Sequence, residues 1–268
     1  MSRGLIDEQS LADIQAGLES VEDVRLAALT LSPDFLGANF DPEVHIPVAA
    51  VCFHDCTELL AQTRYALFEC LAHGRYYRTV VEPANPMTAT FFERYYLDDA
   101  ALRLYAAGEH LANAVILMLD LSDVQLAPYR KNNRVSQQAI LAEYLKNECA
   151  GQNLTDQLTA FGSSADWRFT MNYRNRWVHE QPPTVAGMGI QYRRKLPWTV
   201  SKDKTKKFLA FGMGDEPEFQ IGDLLPRILA AYRGFVGLVG GTLNEYFRIL
   251  SEHGIERENG TITITLRL

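Results

Sequence analysis

Four cysteines occur in the 268 residues, Cys52, Cys56, Cys70 and Cys149. They form no close-spaced ligand quartet, so a cysteine-built metal site is not expected, and free thiols in a reducing compartment are the natural reading. No window approaches the roughly 20 apolar residues of a membrane span. The most apolar stretch, around Ala112 to Leu121, is too short and reads as a buried helix. Met1 to Glu8 lacks a continuous apolar core and turns acidic at once, so it does not read as a secretory signal. Positive charge is in deficit, with 26 Lys and Arg against 33 Asp and Glu and a net charge of −7. That excludes a general binder of nucleic acid and confines any polyanion site to a local patch. Repeats and low-complexity segments are missing too. These features predict a cytoplasmic protein with no membrane contact, and nothing in the sequence calls for a metal or cofactor.

What is present is ordinary globular composition, 47% hydrophobic and 22% charged. A chain of this length can bury a core without staples. Residues 1–45 form an acidic leader, with nine acids against Arg3 and Arg25. Leu11, Ile14 and Leu18 are spaced as on a short amphipathic helix, and Val24 to Leu31 reads as a strand. Residues 46–268 read as a single helical domain. A long helix is expected from Ile46 to Tyr77 and a second from Thr88 to Leu121, joined by the turn Glu82-Pro83-Ala84-Asn85-Pro86. Two long helices on a short proline-containing loop favour an antiparallel hairpin. On the first, Cys52 and Cys56 share a face and His54 points away, which argues for core thiols rather than a metal site. Glu109, His110 and Asn113 form a polar cluster on the second helix, a second candidate site beside the reading as a structural network. A metal near Glu109, His110 and Asp120 lacks a supporting ligand spacing.

Shorter helices are expected at Ser136 to Cys149 and Asn153 to Phe161, and a further one runs to about Glu180. Ser163 is its expected cap, with Asp166 at the third helical position, and Pro182-Pro183 end it. The last long helix spans about Asp223 to Glu252, with Asp223 as N-cap. Gly234, Gly237, Gly240 and Gly241 on it suggest close approach of another helix, in the chain or across a dimer. Between these helices, at about 187–220, lies an expected β-hairpin. From Gln191 to Lys207 it carries Arg193, Arg194, Lys195, Lys202, Lys204, Lys206 and Lys207 against Asp203 alone, with Tyr192, Trp198 and Phe208 among or beside them. Such a segment could follow a phosphate backbone and stack bases, or could simply protect a strand edge. Thr261 to Leu268 alternates strictly after Asn259-Gly260 and is expected to complete a small sheet with that hairpin. The fold class is therefore mainly α, an antiparallel helical bundle built on a long helical hairpin, with a small β appendage.

The stretch Tyr173-Arg174-Asn175-Arg176-Trp177-Val178-His179-Glu180 concentrates the chemistry. At about 100° per residue, Asn175 and His179 lie one turn apart on one side of a helix. Arg174 points elsewhere, but its long side chain can swing to the same cleft. Arg offers a permanent planar cation, and His titrates near neutral pH. This set suits RNA phosphodiester cleavage, where the ribose 2′-OH is an internal nucleophile. His179 takes a proton role, Arg174 the charge role and Asn175 the positioning role. Arg176 reads as a phosphate contact or a surface charge, and Trp177 as packing. One histidine does not serve easily as both acid and base, so a symmetric dimer is expected to supply the second.

Arg174-Asn175, three residues, then His179 resembles the R-N-x-x-x-H motif of the HEPN superfamily. The resemblance covers roughly residues 46–180. It implies an all-α bundle on a long helical hairpin and a metal-independent ribonuclease of toxin–antitoxin, anti-phage or RNA-processing type. It further implies cleavage to a 2′,3′-cyclic phosphate and a 5′-OH, a homodimer with two motifs at one cleft, and an antitoxin partner in the toxin members. Many of those place Tyr two positions after the His; Gln181 stands there in this chain, which argues against regulation by modification of that tyrosine. The alternative is a non-catalytic module of the same fold that binds a nucleotide, RNA or a protein partner.

Overall fold

The computed structural model describes residues 4–31, 45–130, 136–180, 182–188, 196–198, 208–210, 217–252, 255–258 and 261–264. It is mainly helical. The helices are α1 (Glu8–Gly17), α2 (Glu22–Thr30), α3 (Ala49–Arg75), α4 (Pro86–Met118), α5 (Asp123–Leu126), α6 (Gln137–Glu148), α7 (Asn153–Ser163), α8 (Ala165–His179) and α9 (Ile221–Glu252). No helix among the described residues is long and apolar enough to cross a membrane.

The segment expected as a strand at Val24–Leu31 is helix α2 instead. Glu22 and Asp23 occupy its first turn, where the helix dipole favours acids. Helical spacing lets Arg25 reach Glu22 (3.3 Å) on its own helix and Glu58 (2.6 Å) on α3, while Ala28 is fully buried. Those contacts outweigh the weak strand preference of a short apolar run.

The chain forms two compact units. One comprises Met1–Leu18, Ala66–Ala101 and Phe169–Leu229; the other comprises Glu19–Tyr65, Leu102–Arg168 and Ala230–Leu268. Helices α3, α4, α8 and α9 each contribute a stretch to both. In the first unit the His73 ring packs on Phe92 (4.8 Å) and Tyr96 (5.2 Å), and Arg78 is paired with Glu93. In the second, Gln62 meets Arg103 and Asp55 meets His110 (3.6 Å). In the second unit the partner numbers on α4 rise as those on α3 fall, so these two stretches run antiparallel. Pro86 starts α4, and Asn85 caps it by accepting from the Thr88 amide (3.0 Å).

The second unit buries Phe53, Leu60, Leu104, Val115, Tyr232, Phe235 and Tyr246. Its tyrosines keep their hydroxyls satisfied. Tyr232 donates to the Glu19 carbonyl (2.6 Å) and Tyr246 to that of Ile46 (3.1 Å). Gly234 and Gly241 of α9 face α7 of the same chain, and Gly240 faces Val24 of α2. A Cβ at Gly234 would lie 3.1 Å from the Phe161 ring, and one at Gly241 2.8 Å from Gln157.

Two helix starts differ from expectation by a few residues. Ser164, not Ser163, accepts from the Trp167 amide (3.4 Å) at the head of α8. Asp223 is the third residue of α9 rather than its cap, and accepts from the Gln220 amide (3.1 Å). In both cases a short polar side chain binds the helix start, but neighbouring candidates compete for the role.

Backbone pairing joins β1 (Leu196–Trp198) to β2 (Phe208–Ala210), antiparallel. Most of the expected basic hairpin lies outside the described residues. β4 (Thr261–Ile264) pairs with β3 (Ile255–Glu258), and among the described residues it is not joined to β1 and β2 as expected. A partner close in sequence costs less loop-closure entropy than a remote one.

Candidate functional site

Helix α8 presents two faces to two environments. Thr170 and Tyr173 are buried, whereas Asn175, Val178 and His179 are exposed, and Trp177, expected as packing, is exposed as well. Tyr173 and Trp177 stand one turn apart, as do Asn175 and His179, and the two pairs are two residues out of step. At about 100° per residue that offset places them on opposite sides of the helix.

The inward face is held by Asp98 of α4. Its carboxylate accepts from the Tyr173 hydroxyl (2.5 Å) and from the Trp177 side chain, and pairs with Arg94 Nε (3.5 Å). Burial pushes the Asp98 carboxyl above its ordinary value, while Tyr173, Arg94 and Trp177 each oppose that rise by favouring the charged form. Burial, and then Asp98 itself, pushes the Tyr173 hydroxyl far up, so Tyr173 remains a proton donor to the carboxylate. Arg94 also donates to the Pro183 carbonyl (3.0 Å) just beyond the helix and touches Met188 Sδ (3.5 Å). Phe219 packs edge-on to both Phe169 (5.7 Å) and Tyr173 (6.1 Å).

On the outward face Arg174 does swing round to the Asn175–His179 side. One of its terminal nitrogens donates to Asn175 Oδ1 (3.0 Å) and lies 3.4 Å from His179 Nε2. A guanidinium can only donate, so Nε2 acts as the acceptor, and the imidazole proton in this arrangement belongs on Nδ1. The three residues form one solvent-facing cluster at the C-terminal end of α8. Arg176 lies in the same last turn, where a cation interacts favourably with the helix dipole. The Glu180 amide donates to the Arg176 carbonyl (3.1 Å) and closes that turn.

The other expected site residues fare differently. Arg176 is paired with Glu218 (2.7 Å), so an internal carboxylate already meets its charge. Tyr192, Arg193, Arg194, Lys195, Lys204, Lys206 and Lys207 lie outside the described residues. Glu109 accepts from Ser136 Oγ (2.6 Å), the Gln137 amide (2.7 Å) and the Gln138 side chain (3.1 Å), so it anchors the start of α6. His110 faces Asp55, and neither pairing involves Asn113. This polar cluster holds helices together rather than converging on a common point. Among the described residues no group of three or more His, Cys, Asp and Glu side chains is placed to hold a metal. Cys56 and Cys70 are buried, and burial pushes both thiols well up, away from the reactive thiolate.

A cavity of about 620 Å³ lies at the starts of α4 and α9, lined by Arg78, Met87, Thr90, Glu93, Gly187 and Gly222 among others. Its one arginine is gripped by Glu93, which leaves little net charge on that wall.

Asp98, Arg94 and Glu218 went unnoticed in the sequence. The spacing of Arg94 and Asp98 is that of a helical ion pair, but their partners on α8 and beyond lie more than 70 residues away and leave no local signal. Comparison of the chain with protein-family models, with curated proteins and with solved structures gives no match.

Proposed function

We propose that this protein is a metal-independent endoribonuclease of the HEPN type that its R-N-x-x-x-H motif resembles. The observation that supports the reading most is that Arg174 reaches Asn175 and His179 together, on an exposed helix end. A cation, an amide and an imidazole at one accessible point match the needs of cleavage by the ribose 2′-OH. In that reaction the 2′-oxygen bonds to phosphorus and the bond to the 5′-oxygen breaks. A base takes the 2′-proton and an acid protonates the departing 5′-oxygen, leaving a 2′,3′-cyclic phosphate and a 5′-OH. His179 takes one of these proton roles. Arg174 stabilises charge on the phosphoryl oxygens, and Asn175 holds the geometry.

A single imidazole completes one half of the exchange at a time. A homodimer that sets two copies of α8 across one cleft supplies both halves. In this reading the basic segment Arg193 to Lys207, as a β-hairpin appendage, guides the RNA backbone into that cleft. A toxin or anti-phage role fits such an activity. The test is RNA cleavage by the purified protein in EDTA, with end-group analysis. Cleavage with cyclic phosphate ends that His179→Ala abolishes is the expected result; no cleavage of diverse RNAs by the folded wild type would refute the proposal.

A further inference from the structure

His179 is the last residue of α8. Helix ends fray, and a side chain on a terminal turn is ordinarily poorly fixed. Here the terminal turn is held from both sides by two residues of one neighbouring helix. Before His179, Asp98 binds the side chains of Tyr173 and Trp177. After it, Arg94 binds the Pro183 carbonyl. Arg94 and Asp98 are themselves joined and are largely buried, with only 13% and 12% of their side chains exposed.

We infer that Arg94 and Asp98 are positioning residues: they clasp the end of α8 and thereby keep His179 within reach of Arg174. The physical reason is geometric. A carboxylate bound by two donors one helical turn apart, Tyr173 and Trp177, ties those residues together and so holds the winding of that turn. An arginine tied to the chain four residues past His179 prevents the last turn from unwinding. Unwinding is the motion that would carry Nε2 away from the guanidinium, because a turn of the whole helix moves Arg174 and His179 together. A buried ion pair of this kind is costly to form, and its retention here coincides with the point at which side-chain placement matters most.

The inference rests on the ribonuclease reading for its consequence but not for its test. The nitrogen spectrum of the His179 ring reports the tautomer directly, with the signal assigned by its loss in His179→Gln. In the wild type the Nδ1–H form is expected to dominate, because Nε2 accepts from Arg174. In Asp98→Asn the charge that pairs with Arg94 is lost and a single amide oxygen replaces two acceptors, so the clasp should loosen. The ring spectrum should then move towards the tautomer mixture of a free imidazole, and amide exchange at 177–180 should quicken while that of the rest of the chain does not. Cleavage should fall about tenfold or more in kcat with KM little changed, since misplacement near 1 Å can cost on the order of a hundredfold. Should Asp98→Asn not fold, Tyr173→Phe and Trp177→Phe each remove one donor to the same carboxylate with little change in volume. A folded variant with an unaltered His179 spectrum and unaltered exchange would overturn the inference. A wild type that cleaves no RNA but shows the expected ring spectrum would overturn the ribonuclease reading and leave the clasp standing.

Discussion

Arg174 and His179, five residues apart on α8, lie 3.4 Å from each other through a guanidinium nitrogen and Nε2. Simple projection along the helix sets Arg174 well away from the histidine, so the contact depends on the length of the arginine and on its second bond to Asn175. The residue is thereby held rather than left to sample the solvent. Held side chains lose less freedom when a ligand arrives.

Replacing Arg174 by Lys keeps the charge but loses the planar fork. The ammonium is not expected to bridge Asn175 and His179 in the same way. Under the ribonuclease reading, Arg174→Lys should lower kcat/KM about tenfold or more, with the fold intact by circular dichroism. Equal activity would show that charge alone suffices and that the bridging geometry is incidental.

Asp98 gives a pH signature. Burial raises its carboxyl above the ordinary 3.8, so the folded chain binds that proton more tightly than the unfolded chain. The stabilising contribution is fully present below 3.8 and is lost as pH rises through the raised folded value. Denaturant unfolding of the wild type and Asp98→Asn, run from about pH 3 to about pH 7, checks this directly. The stability advantage of the wild type should be greatest at the acid end and should shrink with rising pH. An advantage that grows with pH would show that the donors from Tyr173, Arg94 and Trp177 outweigh burial.

The glycines of α9 make a contrasting pair. A methyl group at Gly234 would meet the Phe161 ring at 3.1 Å, and that ring is confined by Trp167 (4.7 Å) and Phe235 (5.6 Å). Gly237 has nothing within 4 Å of a Cβ. Gly237→Ala should therefore stabilise the chain by about 0.5–1 kcal/mol through helix propensity alone. Gly234→Ala should destabilise it by about 1 kcal/mol, as overpacking exceeds the same gain. Thermal or denaturant unfolding of the two variants decides the matter.

Much of the helical framework was legible in the residues, and the reasons it stops are physical. The long helices are long runs rich in apolar residues, strongly one-sided only in α9, and their expected limits lie within a few residues of α3, α4 and α9. Val24 to Leu31 was misread because eight residues of mixed Val, Leu and Ala carry little periodic information; the contacts of Arg25 and Ala28 decide the outcome. The Arg174–Asn175–His179 cluster was accessible because its members share one helix. The Asp98 clasp was not, because it links α4 to residues on and beyond α8 that pattern along the chain does not connect. Glu109 shows the converse. A polar residue inside an apolar helix resembles a site, yet it serves as the acceptor for three donors at the start of α6.

That role of Glu109 has its own test. Glu109→Gln should lower stability by about 1–2 kcal/mol, since charged hydrogen bonds to a helix start are lost or weakened. It should leave RNA cleavage unchanged, as should His110→Ala. A folded Glu109→Gln variant without activity would return this cluster to consideration as a functional site.

The most direct measurement is cleavage of a mixed RNA pool in EDTA by the wild type, Arg174→Ala and His179→Ala side by side, with the chemistry of the ends determined. The result expected is cleavage by the wild type alone, leaving 2′,3′-cyclic phosphate and 5′-OH termini. Equal behaviour of all three folded proteins, whether all active or all inert, would contradict the assignment of this cluster as a ribonuclease site.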